Sequence, residues 1–269
     1  MAKLAYRDKV VIITGASSGI GRELARQLAS QGAWLSLAAR DMERPEKVGR
    51  ECESLGGRAL TVQTDVCQQA QCAALVEKTV QKYGRVDVLV NNAGITMWGS
   101  FSDLSDPSAL ERIMQTNYMG SVYCTYYALP YLKQARGQIV GVSSLTGKTG
   151  VPTRSGYAAS KHAMTGFFDS LRIEVAPSAV SVTMVYPGFV ASDMRHRALG
   201  PDGKPLGTSP VRESEVMPVE ECARLIIASM TGRKRELVMT LRGKLGQWLK
   251  LIAPGLVDRI AQDAITRGR

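Results

Sequence analysis

A buried-strand pattern that ends in glycines constrains this chain more than any other feature. Residues 10–13 are the β-branched apolar run VVII, which stops at Thr14 and Gly15. Gly19 and Gly21 follow, and apolar residues then recur at helical spacing at positions 20, 24 and 28. A strand, a glycine turn and a helix in this order bring backbone N–H groups and the positive end of the helix dipole close to a diphosphate. Residues 10–21 therefore predict a diphosphate-binding turn, although an ordinary strand-to-helix turn has the same pattern.

The rest of the chain alternates between strand and helix patterns. Strands are predicted at 33–39, 59–63, 86–90, 138–142, 181–186 and 236–240, and helices at 44–55, 68–83, 106–136 (bent near Pro130), 156–175 and 219–230. This alternation predicts a parallel sheet with helices on both faces, as a single doubly wound α/β domain over residues 1–240. Residues 189–218 are rich in glycine and proline and are predicted to form a substrate loop.

The composition excludes several classes of protein. Hydrophobic residues make up 45% of the 269 residues, which is ordinary for a chain with a sizeable core. The five cysteines include no C-x-x-C pair and the chain has two histidines, so we expect no metal site. The first residues lack the apolar core of a signal peptide and no apolar run is long enough to span a bilayer, so we expect a cytoplasmic location.

Motifs in several separate segments resemble the classical short-chain dehydrogenase/reductase family, in its order and spacing, over about residues 9–240. They are Thr14-Gly15-xxx-Gly19-x-Gly21, Asp65, Asn91-Asn92-Ala93-Gly94, Asn117, Ser144, Tyr157 with Lys161, and Pro187-Gly188, while Ser192 stands where the family usually has threonine. The resemblance implies a Rossmann fold, a nicotinamide dinucleotide cofactor and oxidoreductase activity, with similarity to members that act on steroid- or lipid-like substrates. It also implies a homo-oligomer, dimer or tetramer, formed through the helices predicted at 106–136 and 156–175.

The resemblance further implies a role for each site residue. The catalytic residues that it implies are Asn117, Ser144, Tyr157 and Lys161. Asn117 would position a water that links Lys161 to solvent, and Lys161 would also hold the nicotinamide ribose. The cofactor-binding positions, besides Tyr157 and Lys161, are Gly15, Ser17, Ser18, Gly19, Ile20, Gly21, Asp65, Val66, Asn92, Ala93, Gly94, Pro187, Gly188, Val190 and Ser192. Asp65 would contact the adenine, and by itself it also suits the N-cap of a helix.

The spacing of Tyr157 and Lys161 suits proton transfer. Residues four apart in a helix lie on one face, so the ammonium is expected close to the phenol. A nearby cation favours the phenolate and lowers a pKa that is ordinarily about 10. Tyr157 could then protonate a forming alkoxide during reduction or take the alcohol proton during oxidation, while Ser144 hydrogen-bonds the same oxygen. Taken alone, a Tyr-x-x-x-Lys pair is usually an ordinary surface pair.

The end of the second predicted strand indicates which dinucleotide is used. An NAD enzyme usually has an acid there that bonds the ribose 2′-hydroxyl, whereas this chain has Ala39 followed by Arg40. A guanidinium binds a 2′-phosphate through paired hydrogen bonds, so we expect Arg40 to bind the cofactor and NADP(H) to be preferred over NAD(H). Asp41 comes next and could instead pair with Arg40.

Loops at the carboxyl ends of the strands supply the candidate substrate contacts. These residues are mostly apolar, which predicts a lipophilic carbonyl compound or alcohol as the substrate. They are Met97, Trp98, Leu145, Thr146, Phe189 and Met194. Several of them could equally be core residues.

Residues 241–269 form a basic C-terminal extension. Between 233 and 269 there are nine basic and three acidic residues, which account for six of the ten net positive charges. Apolar residues, Trp248 among them, recur every three or four positions and are interrupted by Pro254-Gly255, so two short amphipathic helices are predicted. This face suits peripheral contact with an anionic membrane, and packing on a second subunit or on the protein itself is the alternative. No recognition motif accompanies the charge, so no nucleic-acid partner is expected.

The residues together predict an NADP(H)-dependent carbonyl reductase or alcohol dehydrogenase. Two functions of other classes stay open. One is a catalytically idle nucleotide-binding regulatory protein, and the other is a membrane-surface interaction protein that acts through residues 241–269.

Overall fold

The computed structural model describes residues 5–208 and 216–267, without the side chain of Arg267. Part of the predicted substrate loop, residues 209–215, and the last two residues of the extension lie outside the described residues. Within the described part, parallel strands form one seven-stranded sheet in the order β3-β2-β1-β4-β5-β6-β7. The strands are β1 (Val10–Thr14), β2 (Trp34–Ala39), β3 (Arg58–Gln63), β4 (Val88–Asn91), β5 (Gln138–Val142), β6 (Ser181–Tyr186) and β7 (Glu236–Val238).

Helices cover both faces of the sheet, which confirms the predicted doubly wound fold. They are α1 (Gly19–Ala29), α2 (Glu43–Ser54), α3 (Gln69–Tyr83), α4 (Ser108–Met114), α5 (Gly120–Ala135), α6 (Ser155–Val175), α7 (Val219–Thr231), α8 (Leu241–Ile252) and α9 (Pro254–Arg267). Buried side chains of α1, α2 and α7 form the core on one face, and those of α3, α5 and α6 form the core on the other. Because both faces are covered, all five residues of β1 are buried.

The helix predicted at 106–136 is interrupted within its length. The helix α5 runs through Pro130 as one helix, and the irregularity lies upstream instead, where Gln115–Met119 forms a π-helical turn between α4 and α5. A π turn inserts a residue without ending the apolar pattern, so periodicity cannot reveal it. This turn carries Asn117, which becomes important at the site.

The C-terminal extension forms α8 and α9. The hydroxyl of Thr240 accepts a hydrogen bond from the Gly243 N–H and begins α8, and Pro254 is the first residue of α9. Proline suits this position because it has no N–H to leave unpaired. No helix in the described part of the chain has the length and apolar character needed to cross a membrane.

Candidate active site

A cleft of about 730 Å³ opens at the carboxyl ends of the strands, where the strand order reverses between β1 and β4. In open parallel sheets, ligands bind in this crevice because the loops on either side of the reversal diverge. The predicted cofactor positions that line it are Gly15, Ser17, Ser18, Gly19, Ile20, Arg40, Asp65, Val66, Asn92, Ala93, Gly94, Tyr157, Lys161, Pro187, Gly188, Val190 and Ser192. Gly21 does not line the cleft, because it lies underneath the turn.

The glycine turn has the backbone shape that a diphosphate requires. Gly15 and Gly19 have φ angles of +66° and +53°, which residues with a side chain rarely adopt. A Cβ atom added at Gly21 would overlap the carbonyl oxygen of Gly15, so glycine is needed for α1 to approach the turn. Ser18 makes no side-chain cap to α1, whose first turn also has no acidic residue. The N-terminus of α1 therefore offers backbone N–H groups to an anion in the cleft, and the turn fits a dinucleotide.

Asn92 supports this turn from below. Its Nδ2 donates to the carbonyl oxygens of Thr14 (2.9 Å) and Gly15 (3.2 Å). In return, the Oγ1 of Thr14 accepts hydrogen bonds from the backbone N–H groups of Asn92 and Ala93, both at 3.0 Å. The ends of β1 and β4 are thus joined at the crevice, and Asn92 positions the glycine turn.

Arg40 and Asp65 line the other end of the cleft. Asp41 Oδ1 accepts a hydrogen bond from the Arg44 N–H (3.3 Å), and no ion pair joins Arg40 to Asp41 within the described residues. Asp65 Oδ1 accepts from the Cys67 N–H (3.0 Å), so it closes the turn before α3. Its alternative role as a helix cap is wrong, because Gln68 occupies the N-cap position of α3.

Ser144, Tyr157 and Lys161 come together in the cleft. Ser144 follows β5, and the other two lie one turn apart on the buried face of α6. The Nζ of Lys161 is 5.7 Å from the centre of the Tyr157 ring and donates to the Val142 carbonyl oxygen (2.9 Å). A hydroxyl, a phenol and an ammonium therefore share one end of the cavity that contains the glycine turn.

The electrostatics of this group differ from the expectation. Burial raises the pKa of Tyr157, and the charge of Arg154 and a hydrogen bond from Ser144 oppose that rise. Burial lowers the pKa of Lys161 to about 7, so its ammonium is itself disfavoured. The prediction that Lys161 is the group lowering the pKa of Tyr157 is therefore wrong for this structure, because its Nζ is directed at a carbonyl oxygen and the opposing cation is Arg154.

Asn117 is fully buried in the π turn and does not line the cleft. Its Oδ1 accepts from the Ile95 N–H (2.8 Å), while its Nδ2 donates to the Ile95 carbonyl oxygen (3.0 Å) and to Ser160 Oγ (2.9 Å). A Cβ atom at Gly94 would lie 3.1 Å from Asn117 Oδ1 and 3.6 Å from Lys161 Nζ. Asn117 therefore holds the segment after β4 close to Lys161.

The predicted substrate contacts divide into two groups. Phe189 and Met194 line the cleft. The other four predicted contacts, Met97, Trp98, Leu145 and Thr146, do not line it. Met97 belongs to a small buried cluster that includes Tyr157, and Thr146 is buried, so these two are packing residues. Trp98 packs against Phe189 with ring centres 6.4 Å apart and ring planes tilted by 37°, so it lies one layer behind the surface of the cleft.

The sequence interpretation missed a set of polar residues at the substrate end of the cleft. They are Thr96, Arg112, Arg154, Arg195 and Arg197. No motif or apolar periodicity in the sequence marks these residues as part of a site. Arg154 lies three residues before Tyr157 and could have been noticed for that reason.

The cysteines are free thiols, and four of the five are buried. Among residues 5–208 and 216–267, no group of three or more His, Cys, Asp or Glu side chains is arranged to hold a metal ion.

Comparison with protein families and curated sequences gives consistent matches. Residues 9–200 match the family model described as short chain dehydrogenase. The "11-beta-hydroxysteroid dehydrogenase-like 4A" of Arabidopsis thaliana is 39% identical over 253 residues, which are 93% of this chain and 82% of that protein. The "Dehydrogenase/reductase SDR family member 7B" of Bos taurus is 37% identical over 264 residues, covering 94% of this chain and 80% of that protein.

Solved structures match as well. An alcohol dehydrogenase from the archaeon Thermococcus sibiricus, complexed with 5-hydroxy-NADP, superposes with a TM-score of 0.75 at 27% identity, over 85% of this chain and 94% of that one. A short chain dehydrogenase/reductase from Burkholderia phymatum, in complex with NAD, has a TM-score of 0.82 at 23% identity, over 94% and 96% of the two chains. At that identity the second match supports the fold alone.

Proposed function

The chain belongs to the short-chain dehydrogenase family of oxidoreductases, and we propose that it transfers a hydride between NADP(H) and the carbonyl or secondary alcohol group of a lipophilic small molecule. The observation that carries the proposal is the presence of Ser144, Tyr157 and Lys161 in the same cleft as the glycine turn. A catalytically idle nucleotide-binding protein would not need these three side chains together.

The proposed mechanism assigns the proton to Tyr157. When bound, the nicotinamide supplies or accepts the hydride. In reduction, the Tyr157 hydroxyl donates its proton to the substrate oxygen, and in oxidation its phenolate takes that proton. The Ser144 hydroxyl hydrogen-bonds the same oxygen, and the positive charge of Arg154 favours the phenolate. Lys161 would hold the nicotinamide ribose. Asn117 holds the segment at Gly94 close to Lys161. A water that links Lys161 to solvent would bind there.

Substitution of the phenol tests this assignment. Tyr157→Phe is expected to lower kcat by roughly a hundredfold to ten-thousandfold, the usual contribution of a general acid or base. Its affinity for the dinucleotide should change little, because the ring remains in place. Tyr131→Phe, on α5 and away from the cleft, is the matched control and should keep full turnover. Full activity of Tyr157→Phe would refute the mechanism, and dinucleotide binding without turnover in a broad screen of carbonyl compounds and alcohols would favour the idle nucleotide-binding protein.

The preference for NADP(H) rests on Arg40. The guanidinium is exposed at the edge of the cleft next to Ala39, and Asp41 is engaged with the start of α2, so Arg40 remains available to a 2′-phosphate. We expect kcat/KM to favour NADP(H) over NAD(H) by about tenfold or more, because one charge-assisted hydrogen bond contributes a binding free energy of about this size. Arg40→Asp should erase or reverse this ratio, whereas Arg50→Asp, an equal charge change at an exposed site on α2, should not. Equal use of both cofactors by the unaltered protein would refute the preference.

The outer face of the C-terminal helices supports peripheral membrane contact. Trp248, Leu251 and Ile252 are 66%, 75% and 85% exposed, and Leu241, Leu245, Leu256 and Ile260 are also exposed. The opposite side of α8 packs on the domain, since Lys250 Nζ donates to the Lys148 carbonyl oxygen (3.0 Å). An exposed apolar face with basic neighbours suits an anionic lipid surface, and a second subunit is the alternative occupant.

Point variants on α8 test this membrane contact better than a truncation that removes the C-terminal helices. A Cβ at Gly243 would overlap Leu145, next to Ser144, so removal of α8 would also disturb the active site. We expect Leu251→Ser with Ile252→Ser to reduce co-sedimentation with phosphatidylserine-containing vesicles and to leave turnover unchanged. Leu55→Ser, at an exposed position after α2, is the control. Unchanged co-sedimentation together with an altered oligomeric state would assign the face to a subunit contact instead.

Self-association through α5 and α6 is a further part of the proposal. Tyr126 on α5 and Ile173 on α6 are 68% and 74% exposed, so both side chains are available to a second copy of the chain. Tyr126→Glu with Ile173→Glu should shift the protein toward monomer in sedimentation velocity. An unchanged sedimentation coefficient would contradict this interface.

A further inference from the structure

Arg154 is a buried cation that has no acidic partner among the described residues. It immediately precedes α6 and is 8% exposed. Its Nη2 donates to Thr96 Oγ1 (2.7 Å), but its Nε has no hydrogen-bond partner in the part of the chain that the structure describes. Within the described ranges, no Asp or Glu side chain forms an ion pair with it. Buried guanidinium groups are normally paired with an anion, so this group has unused donors.

Aromatic rings form the rest of its surroundings. The guanidinium carbon lies 4.6 Å from the ring centre of Tyr157, 5.3 Å from that of Trp98 and 5.8 Å from that of Phe189. Ring faces stabilise a cation, but they do not replace oxygen acceptors at its N–H groups. Arg154 and Phe189 both line the cleft, so the guanidinium borders the space that a bound molecule would occupy.

The substrate end of the cleft is cationic as a whole. The charged side chains that line the cavity are Arg40, Arg112, Arg154, Lys161, Arg195, Arg197 and, as the sole acid among the described lining residues, Asp65. Arg40 and Asp65 are at the dinucleotide end. Arg112 donates to the Gly203 carbonyl oxygen (2.9 Å), and Arg197 pairs with Asp193 (2.9 Å) near the entrance. Of the arginines at the substrate end, Arg154 is buried directly beside Tyr157.

We propose that Arg154 binds a carboxylate of the substrate, so that the molecule reduced or oxidised at Tyr157 is an oxo acid or hydroxy acid with an apolar body. The inference rests on the proposed oxidoreductase function and names its substrate class. A guanidinium matches the two oxygens of a carboxylate in its planar fork. Because it lies over the Tyr157 ring, the carboxylate and the reacting carbonyl are separated by only a few bonds. Apolar lining from Phe189, Met194 and Leu199 accommodates the remainder of the molecule.

Matched acids and esters test the proposal. The probes are benzoylformate, benzoylpropionate and benzoylbutyrate, each compared with its methyl ester, in assays with NADPH and the full chain. We expect the unaltered protein to favour at least one acid over its ester by about tenfold to a hundredfold in kcat/KM, which corresponds to one charge-assisted hydrogen-bond pair. The number of bonds between the ketone and the carboxylate in the preferred acid indicates the distance between Arg154 and the site of reduction.

Variants of Arg154 assign the preference to this side chain. Arg154→Met should raise KM for the preferred acid and abolish the ratio of acid to ester in kcat/KM, beyond any loss that acid and ester share through Tyr157, whereas Arg154→Lys should keep part of the preference. Arg224→Met, which removes an exposed arginine on α7, is the charge control. Phenylbutyrate, which has no ketone to reduce, provides a readout without turnover, and calorimetry should show its binding to the unaltered protein and not to Arg154→Met.

The outcomes separate this proposal from the proposed function. Equal use of acids and esters by the unaltered protein overturns the carboxylate site and leaves the oxidoreductase intact. A uniform loss on both substrate types in Arg154→Met, with native dinucleotide binding, also overturns it and makes Arg154 a positioning residue for Tyr157. Phenylbutyrate binding that depends on Arg154, without turnover of any probe, supports the site and contradicts hydride transfer. If Arg154→Met does not fold, Thr96→Val, which removes the hydroxyl that orients the guanidinium, must lower the acid preference or the proposal fails.

Discussion

The buried ammonium of Lys161 makes the stability of the cofactor-free protein depend on pH. Lys161 is 3% exposed, and burial lowers its pKa from 10.5 to about 7. Between these values the unfolded chain binds more protons than the folded one, so the free energy of unfolding rises as the pH rises. The destabilisation is fully present below about pH 7 and is relieved progressively up to about pH 10.5. Lys161→Met removes the titrating group and should remove this part of the pH dependence.

The size of the effect follows from the shift. At about 1.4 kcal/mol for each pKa unit, protonated Lys161 costs the folded state roughly 5 kcal/mol in total. From about pH 6 to about pH 9, the unaltered protein should gain about 2–3 kcal/mol of stability that Lys161→Met does not gain. In the acidic part of this range the variant is expected to be the more stable protein, although it lacks a residue proposed to be catalytic.

Urea unfolding at both pH values, at one protein concentration and without dinucleotide, measures this difference. Titration of all other groups is common to the two proteins and cancels in the comparison. Lys78→Met, at an exposed position on α3, controls for the loss of one positive charge and should follow the unaltered protein. Parallel pH profiles for the unaltered protein and Lys161→Met would refute the reasoning, because they would mean that the ammonium is not destabilised by burial.

Two further substitutions test the geometry around the site. Gly21→Ala should weaken dinucleotide binding by about tenfold or more in a fluorescence titration, because its Cβ would displace the carbonyl of Gly15. Gly166→Ala, where a Cβ meets open space on α6, should bind normally, and equal affinity of the two variants would contradict the steric argument. Asn117→Ala should lower the free energy of unfolding by about 2–5 kcal/mol in urea, because it leaves the N–H and the carbonyl of Ile95 without partners. A loss below about 0.5 kcal/mol, as for a surface substitution, would show that neither group needs Asn117.

Most of the fold could be predicted from the sequence because it follows from short-range patterns. The strands β5 (Gln138–Val142) and β6 (Ser181–Tyr186) have the predicted bounds. The predicted β4 began two residues early because Val86 and Asp87 are buried like strand residues but precede Val88, the first residue of β4. The interruption at Gln115–Met119 was missed because an inserted residue leaves apolar spacing almost unchanged.

The candidate site was predictable to the extent that backbone geometry requires particular residue types. Glycines that must adopt positive φ angles, and the Tyr157–Lys161 pair one helical turn apart, are visible in the chain. The substrate contacts were predicted less well, since Met97 and Thr146 turned out to be packing residues. Whether a loop residue faces a cavity depends on segments distant in the chain, so no local sequence pattern indicates it.

The amino-acid sequence by itself determined the alternation of strands and helices, the glycine turn and the spacing of Tyr157 from Lys161, because each depends on neighbours a few residues apart. Only the tertiary structure decided the electrostatics. It buried Lys161 and lowered its pKa, and it placed Arg154 against the rings of Tyr157 and Trp98 without an acidic partner in the described chain. Charge interactions depend on burial and on distances through space, and these arise only when remote segments pack together.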